Sequence, residues 1–179
     1  MNRRLAQGMT ADAPRVARRP ADAVIALGSN LGNREHLIAL ALIDLDRLPM
    51  SRVAGAAEPI ESVAVTLSGP DADAPRYLNT VARLTTRLAP TVLLGYMQAI
   101  EARHGRERTE RWGDRTLDLD LIAYGDVRSD TATLTLPHPR ARQRTFVLEP
   151  WLALDRDAVL PGAGRVDELL ARLRAEGEA

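Results

Sequence analysis

The run Leu117-Asp118-Leu119-Asp120-Leu121 alternates apolar and acidic residues and is followed by Ile122-Ala123-Tyr124. This pattern fits a β-strand, in which residues two apart share a face. Asp118 and Asp120 then stand side by side, roughly 6–7 Å apart. Leu117, Leu119 and Leu121 point the other way, toward a core. Immediately upstream lie Arg111, Trp112, Gly113, Asp114 and Arg115. Two parallel carboxylates beside arginines can hold Mg²⁺ against a polyphosphate. The competing reading is a half-buried strand with a solvated acidic face, and spacing alone leaves both open.

Composition narrows the chemistry. The 179 residues suffice for one domain with a substantial core. The hydrophobic fraction of 45% and charged fraction of 27% are ordinary for a globular protein. The formal net charge is zero, so bulk attraction does not draw polyanions to this chain. Cysteine is absent, which excludes disulfides, thiolate metal sites and cysteine nucleophiles. Every basic residue other than histidine is arginine. That excludes the lysine-bearing P-loop and Schiff-base lysine chemistry. Phosphate binding would fall to arginine, whose planar fork grips two oxygens at once.

Residues 1–20 hold Arg3, Arg4, Arg15, Arg18 and Arg19 against one acid, Asp12. They read as a disordered, arginine-rich leader without the apolar stretch of a secretory signal. A single domain is expected over residues 21–179. No apolar run approaches the ~18–20 residues that span a bilayer, so no membrane association is expected. The cytoplasm is the expected location.

Ala23–Leu27 reads as a buried strand ending at Gly28. A loop follows, with Asn33 as helix N-cap. Leu37, Leu40, Ala41 and residues 43–45 recur at helical spacing up to Pro49. Residues 51–65 form a weak strand interrupted by Pro59, and residues 67–76 form a loop rich in Gly, Pro and Asp. Residues 77–88 form a strand with Leu78, Val81 and Leu84 in the core. Pro90 opens a second helix, with Ala89 a poor cap. Its apolar stripe is Val92, Leu93, Tyr96, Met97 and Ile100, and it stops near Gly105. After the acidic strand come a short strand over residues 131–136, a helix begun at Ala141 and ended by Pro150, and a terminal helix from Val166. The order strand–helix–strand–strand–helix–strand predicts an α+β fold, the ferredoxin-like split βαβ sandwich, with C-terminal additions. Its mainly antiparallel sheet would carry helices on one face and leave the other free for a site.

Four segments, taken in order, resemble the 6-hydroxymethyl-7,8-dihydropterin pyrophosphokinase family of folate biosynthesis. They are residues 26–32 (Ala-Leu-Gly-Ser-Asn-Leu-Gly), Tyr77-Leu78-Asn79, residues 105–120 with Arg-Trp-Gly-Asp-Arg-Thr-Leu-Asp-Leu-Asp, and residues 136–146 with Leu-Pro-His through Phe. The resemblance runs from about Ala23 to Leu160. It implies ATP as co-substrate, two Mg²⁺ ions, and transfer of pyrophosphate to the pterin hydroxymethyl group with release of AMP.

The resemblance also implies roles. Asp118 and Asp120 match the metal ligands, and Asp118 also borders the pterin. Arg106, Arg108 and Arg115 match catalytic arginines that embrace the polyphosphate, and phosphoryl transfer depends chiefly on such positioning and charge stabilisation. Gln98, Glu101, Trp112, Ile122, His138 and Arg144 match ATP-site positions. For Gln98 and Glu101 a solvated helix face is the competing reading. Tyr77 and Phe146 match two aromatics that sandwich the pterin, Asn79 matches a polar contact to its edge, and Ser62 and Val63 fall in the segment that touches it through the backbone. Asn79 offers both donors and an acceptor to the mixed edge of a pterin. Val63 and Asp114 stand where the family carries proline.

The two substrates are the expected partners, without nucleic acid, and a monomer is expected. A rival reading is an RNA-binding module built on the arginines and Trp112. An aromatic content of 3% and the two carboxylates weigh against it. A catalytically inactive relative is a third reading, and intact Asp118, Asp120 and Arg115 weigh against that.

Overall fold

The computed structural model describes residues 19–66, 69–71, 74–105 and 116–177. All of the expected leader except Arg19 and Pro20 lies outside these described residues.

The first strand, β1 (Ala21–Ser29), passes through a turn at Gly32 (φ +66°) into helix α1 (Arg34–Asp46). Asn33 caps α1 as expected, its side chain accepting from the His36 amide at 3.0 Å. Ile38, Ala41 and Leu45 form the buried stripe of α1, while Ile43 is exposed. Residues 51–65 divide into β2 (Ser51–Ala56), β3 (Ile60–Ser62) and the start of a small hairpin, β4 (Ala64–Thr66) with β5 (Gly69–Asp71). The hairpin occupies part of what reads as loop. The long strand β6 (Tyr77–Thr86) leads to α2 (Pro90–Arg103), which begins at Pro90 without a side-chain cap from Ala89. Its buried stripe is Leu93, Met97, Ile100 and Glu101; Tyr96 is exposed, one position off that stripe.

The acidic strand is β7 (Asp118–Tyr124). Instead of one strand over residues 131–136 there are two short ones, β8 (Ser129–Asp130) and β9 (Thr135–Leu136). Thr131 explains the difference: its hydroxyl accepts from the Leu134 amide at 3.1 Å, and its own amide donates to the Leu134 carbonyl. Such local bonds turn the backbone back on itself. After a 3-10 turn at Ala141–Gln143 comes α3 (Thr145–Leu154). Pro150 lies inside α3 rather than ending it. A buried face of Val147, Leu148, Pro150 and Trp151 outweighs the ~3 kcal/mol cost of an interior proline. The hairpin β10 (Val159–Leu160) and β11 (Gly164–Arg165) and the helix α4 (Val166–Gly177) complete the chain.

The main sheet is antiparallel with order β2-β6-β1-β7, and β3 pairs with β6 beyond β2. One face packs on α1 and α2 through Ile25, Leu27, Leu45, Leu84, Met97 and Leu119. The other face is not bare as expected. Val24, Val81 and Ile122 bury against Val147, Leu148 and Trp151 of α3 and Leu169 and Leu170 of α4. The C-terminal additions therefore cover one end of that face, and Asp118 and Asp120 lie toward its other end.

The register of β7 follows from its leucines. Leu117, Leu119 and Leu121 are all buried, each contributing ~1.5–3 kcal/mol by leaving water. A one-residue slip would expose them and bury both aspartates.

Candidate active site

Pairing across the sheet sets the geometry. Asp118 lies opposite Gly28, Gly28 opposite Asn79, and Asn79 opposite Ile60. On the next rung of the same face, Asp120 lies opposite Ala26, and Ala26 opposite Val81. Both aspartates are half-buried. Between Asp118 and Asn79 the sheet offers only backbone, because residue 28 is glycine. A Cβ there would meet Asn79 Oδ1 at 3.0 Å and Tyr77 Cδ1 at 3.8 Å. A glycine within a strand often marks such a close approach; Gly28 is a site feature that the sequence reading passes over.

Asp120 is held from the α3 side. Arg144, at the N-terminus of α3, donates from Nη1 to Asp120 Oδ2 at 2.7 Å. The same guanidinium lies 5.5 Å from the centre of the half-buried Phe146 ring, a cation–π distance. His138 Nε2 stands 3.8 Å from Asp120 Oδ2, beyond direct hydrogen bonding. The His138 amide donates to the Ile122 carbonyl at 2.8 Å, and His138 Nδ1 accepts from the Arg140 amide at 3.2 Å. With Nδ1 so engaged, the neutral ring carries its proton on Nε2, facing the site. Burial is the largest influence on this ring and, with Arg144 and Arg140, lowers its pKa from 6.5 against the opposing pull of Asp120 and Asp118. His138 is thus a neutral donor at pH 7.

On the other side of Gly28, Asn79 is buried and donates from Nδ2 to Ser62 Oγ at 2.8 Å. Tyr77 and Val63 are half-buried nearby in chain order, Tyr77 on the same strand face as Asn79. Ser29 Oγ donates to the Thr116 carbonyl at 2.6 Å, tying the end of β1 to the entry of β7.

The structure therefore brings Asp118, Asp120, His138, Arg144 and Phe146 together on one side, and Ser62, Asn79 and Tyr77 on the other. Ile122 is fully buried in the core against α3, and its carbonyl seats His138. Gln98 is exposed on α2, whereas Glu101 is buried and its Oε1 accepts from the Leu119 amide at 2.8 Å. Glu101 therefore braces the backbone between the two aspartates. Its burial has a sequence signal, since it lies one helical turn beyond Met97. Arg106, Arg108, Trp112 and Arg115 lie outside the described residues.

Residues 24–156 match the family model for 7,8-dihydro-6-hydroxymethylpterin-pyrophosphokinase, HPPK. The chain belongs to the HPPK family. A 2-amino-4-hydroxy-6-hydroxymethyldihydropteridine pyrophosphokinase of Pseudomonas aeruginosa is 43% identical over 153 residues, covering 86% of this chain and 92% of its own. The Haemophilus influenzae HPPK is 38% identical over 148 residues, covering 83% and 90%. Among solved structures, Plasmodium falciparum HPPK-DHPS with pteroate superposes with a TM-score of 0.68 at 11% identity. It shares the HPPK fold over 90% of this chain, which spans 44% of that longer one.

Proposed function

We propose that the rung Asp118–Gly28–Asn79, with Asp120, Arg144 and His138 beside it, is the surface on which this chain performs its family's reaction. The chain is a pyrophosphokinase of folate biosynthesis: pyrophosphate passes from ATP to the hydroxymethyl group of 6-hydroxymethyl-7,8-dihydropterin, and AMP leaves. The hydroxymethyl oxygen bonds to the β-phosphorus as the bond to the α-phosphate oxygen breaks. Family membership favours this over the RNA-binding reading.

The observation that carries the site assignment is the backbone-only floor at Gly28, flanked by paired carboxylates on one side and a polar, aromatic wall on the other. A flat heterocycle fits against Gly28, with its polar edge toward Asn79 and Ser62 and its faces toward Tyr77 and Phe146. Its hydroxymethyl group would then point toward the aspartates. Arg144 and the Nε2–H of His138 would meet phosphate oxygens. By resemblance to the family motif, Arg106, Arg108 and Arg115 would embrace the same polyphosphate and Trp112 would border the ATP.

Asp118 and Asp120 fit Mg²⁺. Among the described residues no group of three or more His, Cys, Asp or Glu side chains could hold a metal alone. Magnesium commonly takes only one or two carboxylates and completes its shell with water and substrate phosphates. Two such ions, when bound, would neutralise the polyphosphate and orient it.

The strand order β7-β1-β6-β2, the fourth-first-third-second of two βαβ units, supports the ferredoxin-like assignment. Both cores draw on β1, β6 and β7, which supports a single domain over residues 21–179. Among the described residues no helix is long and apolar enough to cross a membrane. Action as a cytoplasmic monomer completes the reading.

Product analysis tests it. AMP should form in step with pterin diphosphate, and Asp118→Ala or Asp120→Ala should each slow this by ~10²-fold or more. ADP as the product, or near-normal rates in both variants, would overturn the assignment.

A further inference from the structure

The pterin side of the site is braced from behind by a charged cluster outside the reacting surface. Arg34, the first residue of α1, donates from Nη1 to the Arg76 carbonyl at 2.8 Å and from Nη2 to Glu61 Oε1 at 2.9 Å. Arg76 Nη1 lies 3.9 Å from Glu61 Oε2. One guanidinium thus joins α1 to two segments that lie 27 and 42 positions along the chain.

Both contacts touch the neighbours of site residues. Glu61 precedes Ser62 in β3, and the two side chains point to opposite faces. One holds Arg34 while the other accepts from Asn79. The Arg76 carbonyl immediately precedes Tyr77. β3 is three residues long and, among the described residues, pairs only with β6. A strand so short, at the edge of a sheet, opens easily. Arg34 is itself well placed to resist this. The positive φ of Gly32 and the cap by Asn33 orient the first turn of α1, and the Arg34 amide donates to the Gly32 carbonyl at 3.1 Å.

We propose that Arg34 is a positioning residue that latches β3 and the start of β6 to α1, and so presets Ser62, Asn79 and Tyr77 for the flat substrate. The latch rests on the reading that the pterin lies against these residues. A partly exposed ion pair contributes little to global stability, so its effect falls on local geometry and appears as pterin affinity. The fork of arginine is needed because one side chain holds a carboxylate and a carbonyl together, which lysine matches poorly.

Calorimetry with 6-hydroxymethylpterin, in the presence of Mg²⁺ and a non-hydrolysable ATP analogue, together with steady-state kinetics, tests the latch. Arg34→Ala should weaken pterin binding about three- to tenfold. Nucleotide-analogue affinity and kcat should hold within about twofold, as a latch remote from the phosphates requires. Arg34→Lys should restore part of the loss. Arg34→Ala combined with Glu61→Gln should be little worse than Arg34→Ala alone, since the Arg34–Glu61 bond is already gone and the exposed Arg76–Glu61 pair, 3.9 Å apart, contributes little. Unchanged pterin affinity in Arg34→Ala would overturn the latch, as would equal losses for pterin and nucleotide with a lower melting temperature. Asn79→Ala separates the two levels. If it abolishes pterin binding while Arg34→Ala does nothing, the latch alone fails. If Asn79→Ala also does nothing, the pterin assignment fails and takes the latch with it.

Discussion

Arg144 Nη1 sits 2.7 Å from Asp120 Oδ2, so the free chain already neutralises one of the two carboxylates assigned to the metal. Asp120 could hold a cation only in competition with this guanidinium. Released from Asp120, Arg144 would have phosphate as its natural partner. Arg144→Ala should therefore tighten binding of Mg²⁺ to the nucleotide-free chain, yet lower turnover by ~10²-fold through loss of a transition-state contact. Calorimetry and single-turnover rates measure the two effects. Weaker Mg²⁺ binding in the variant would mean that Arg144 organises Asp120 rather than competing for it.

Gly28→Ala should leave the fold intact and damage pterin binding. The added Cβ would stand 3.0 Å from Asn79 Oδ1, so the Asn79 amide must give by a few tenths of an ångström, which strains its bond with Ser62. Overpacking of this kind costs about 1–3 kcal/mol. Pterin affinity should fall correspondingly, with nucleotide affinity preserved. Titration of both ligands checks it, and unchanged pterin affinity would remove Gly28 from the floor of the site.

Glu101 acts through the backbone of β7. Glu101→Ala leaves the buried Leu119 amide without its acceptor, a loss of about 1–3 kcal/mol in stability. Glu101→Gln keeps an acceptor for that amide and should lose less. Chemical denaturation of the two variants distinguishes them, and equal losses would contradict the role of the Leu119 bond.

His138 should titrate below the ordinary 6.5 in the free chain, chiefly because it is buried. Between its lowered folded pKa and the unfolded 6.5, the unfolded chain binds more protons. The stability that His138 contributes is therefore complete above about pH 6.5 and is lost as pH falls through the folded value. Ring-proton NMR should show the low midpoint. Replacing His138 by Gln should flatten the loss of stability on acidification from pH 7 to 5. A midpoint at or above 6.5 would contradict the account.

What was legible in the sequence was local. The alternation of β7, the Asn33 cap and the Pro90 start each depend on a few adjacent residues, and all three appear in the fold. The termination expected at Pro150 fails because a buried tertiary face outweighs a local preference. The bare sheet face fails because α3 and α4 return to cover it. The contacts of Arg34 with Glu61 and Arg76 have no local signature, since only the closed fold brings those segments together. The resemblance supplied the names of the site residues; geometry supplied Gly28 and the bracing role of Glu101.

The paired aspartates are tested most directly by a crystal grown with Mn²⁺ in place of Mg²⁺, a non-hydrolysable ATP analogue and the pterin. Anomalous scattering locates the manganese ions without reference to the protein. The expected result is manganese peaks within coordination distance of carboxylate oxygens of both Asp118 and Asp120 and of the analogue's phosphates. Manganese bound to the phosphates but remote from both side chains would contradict it.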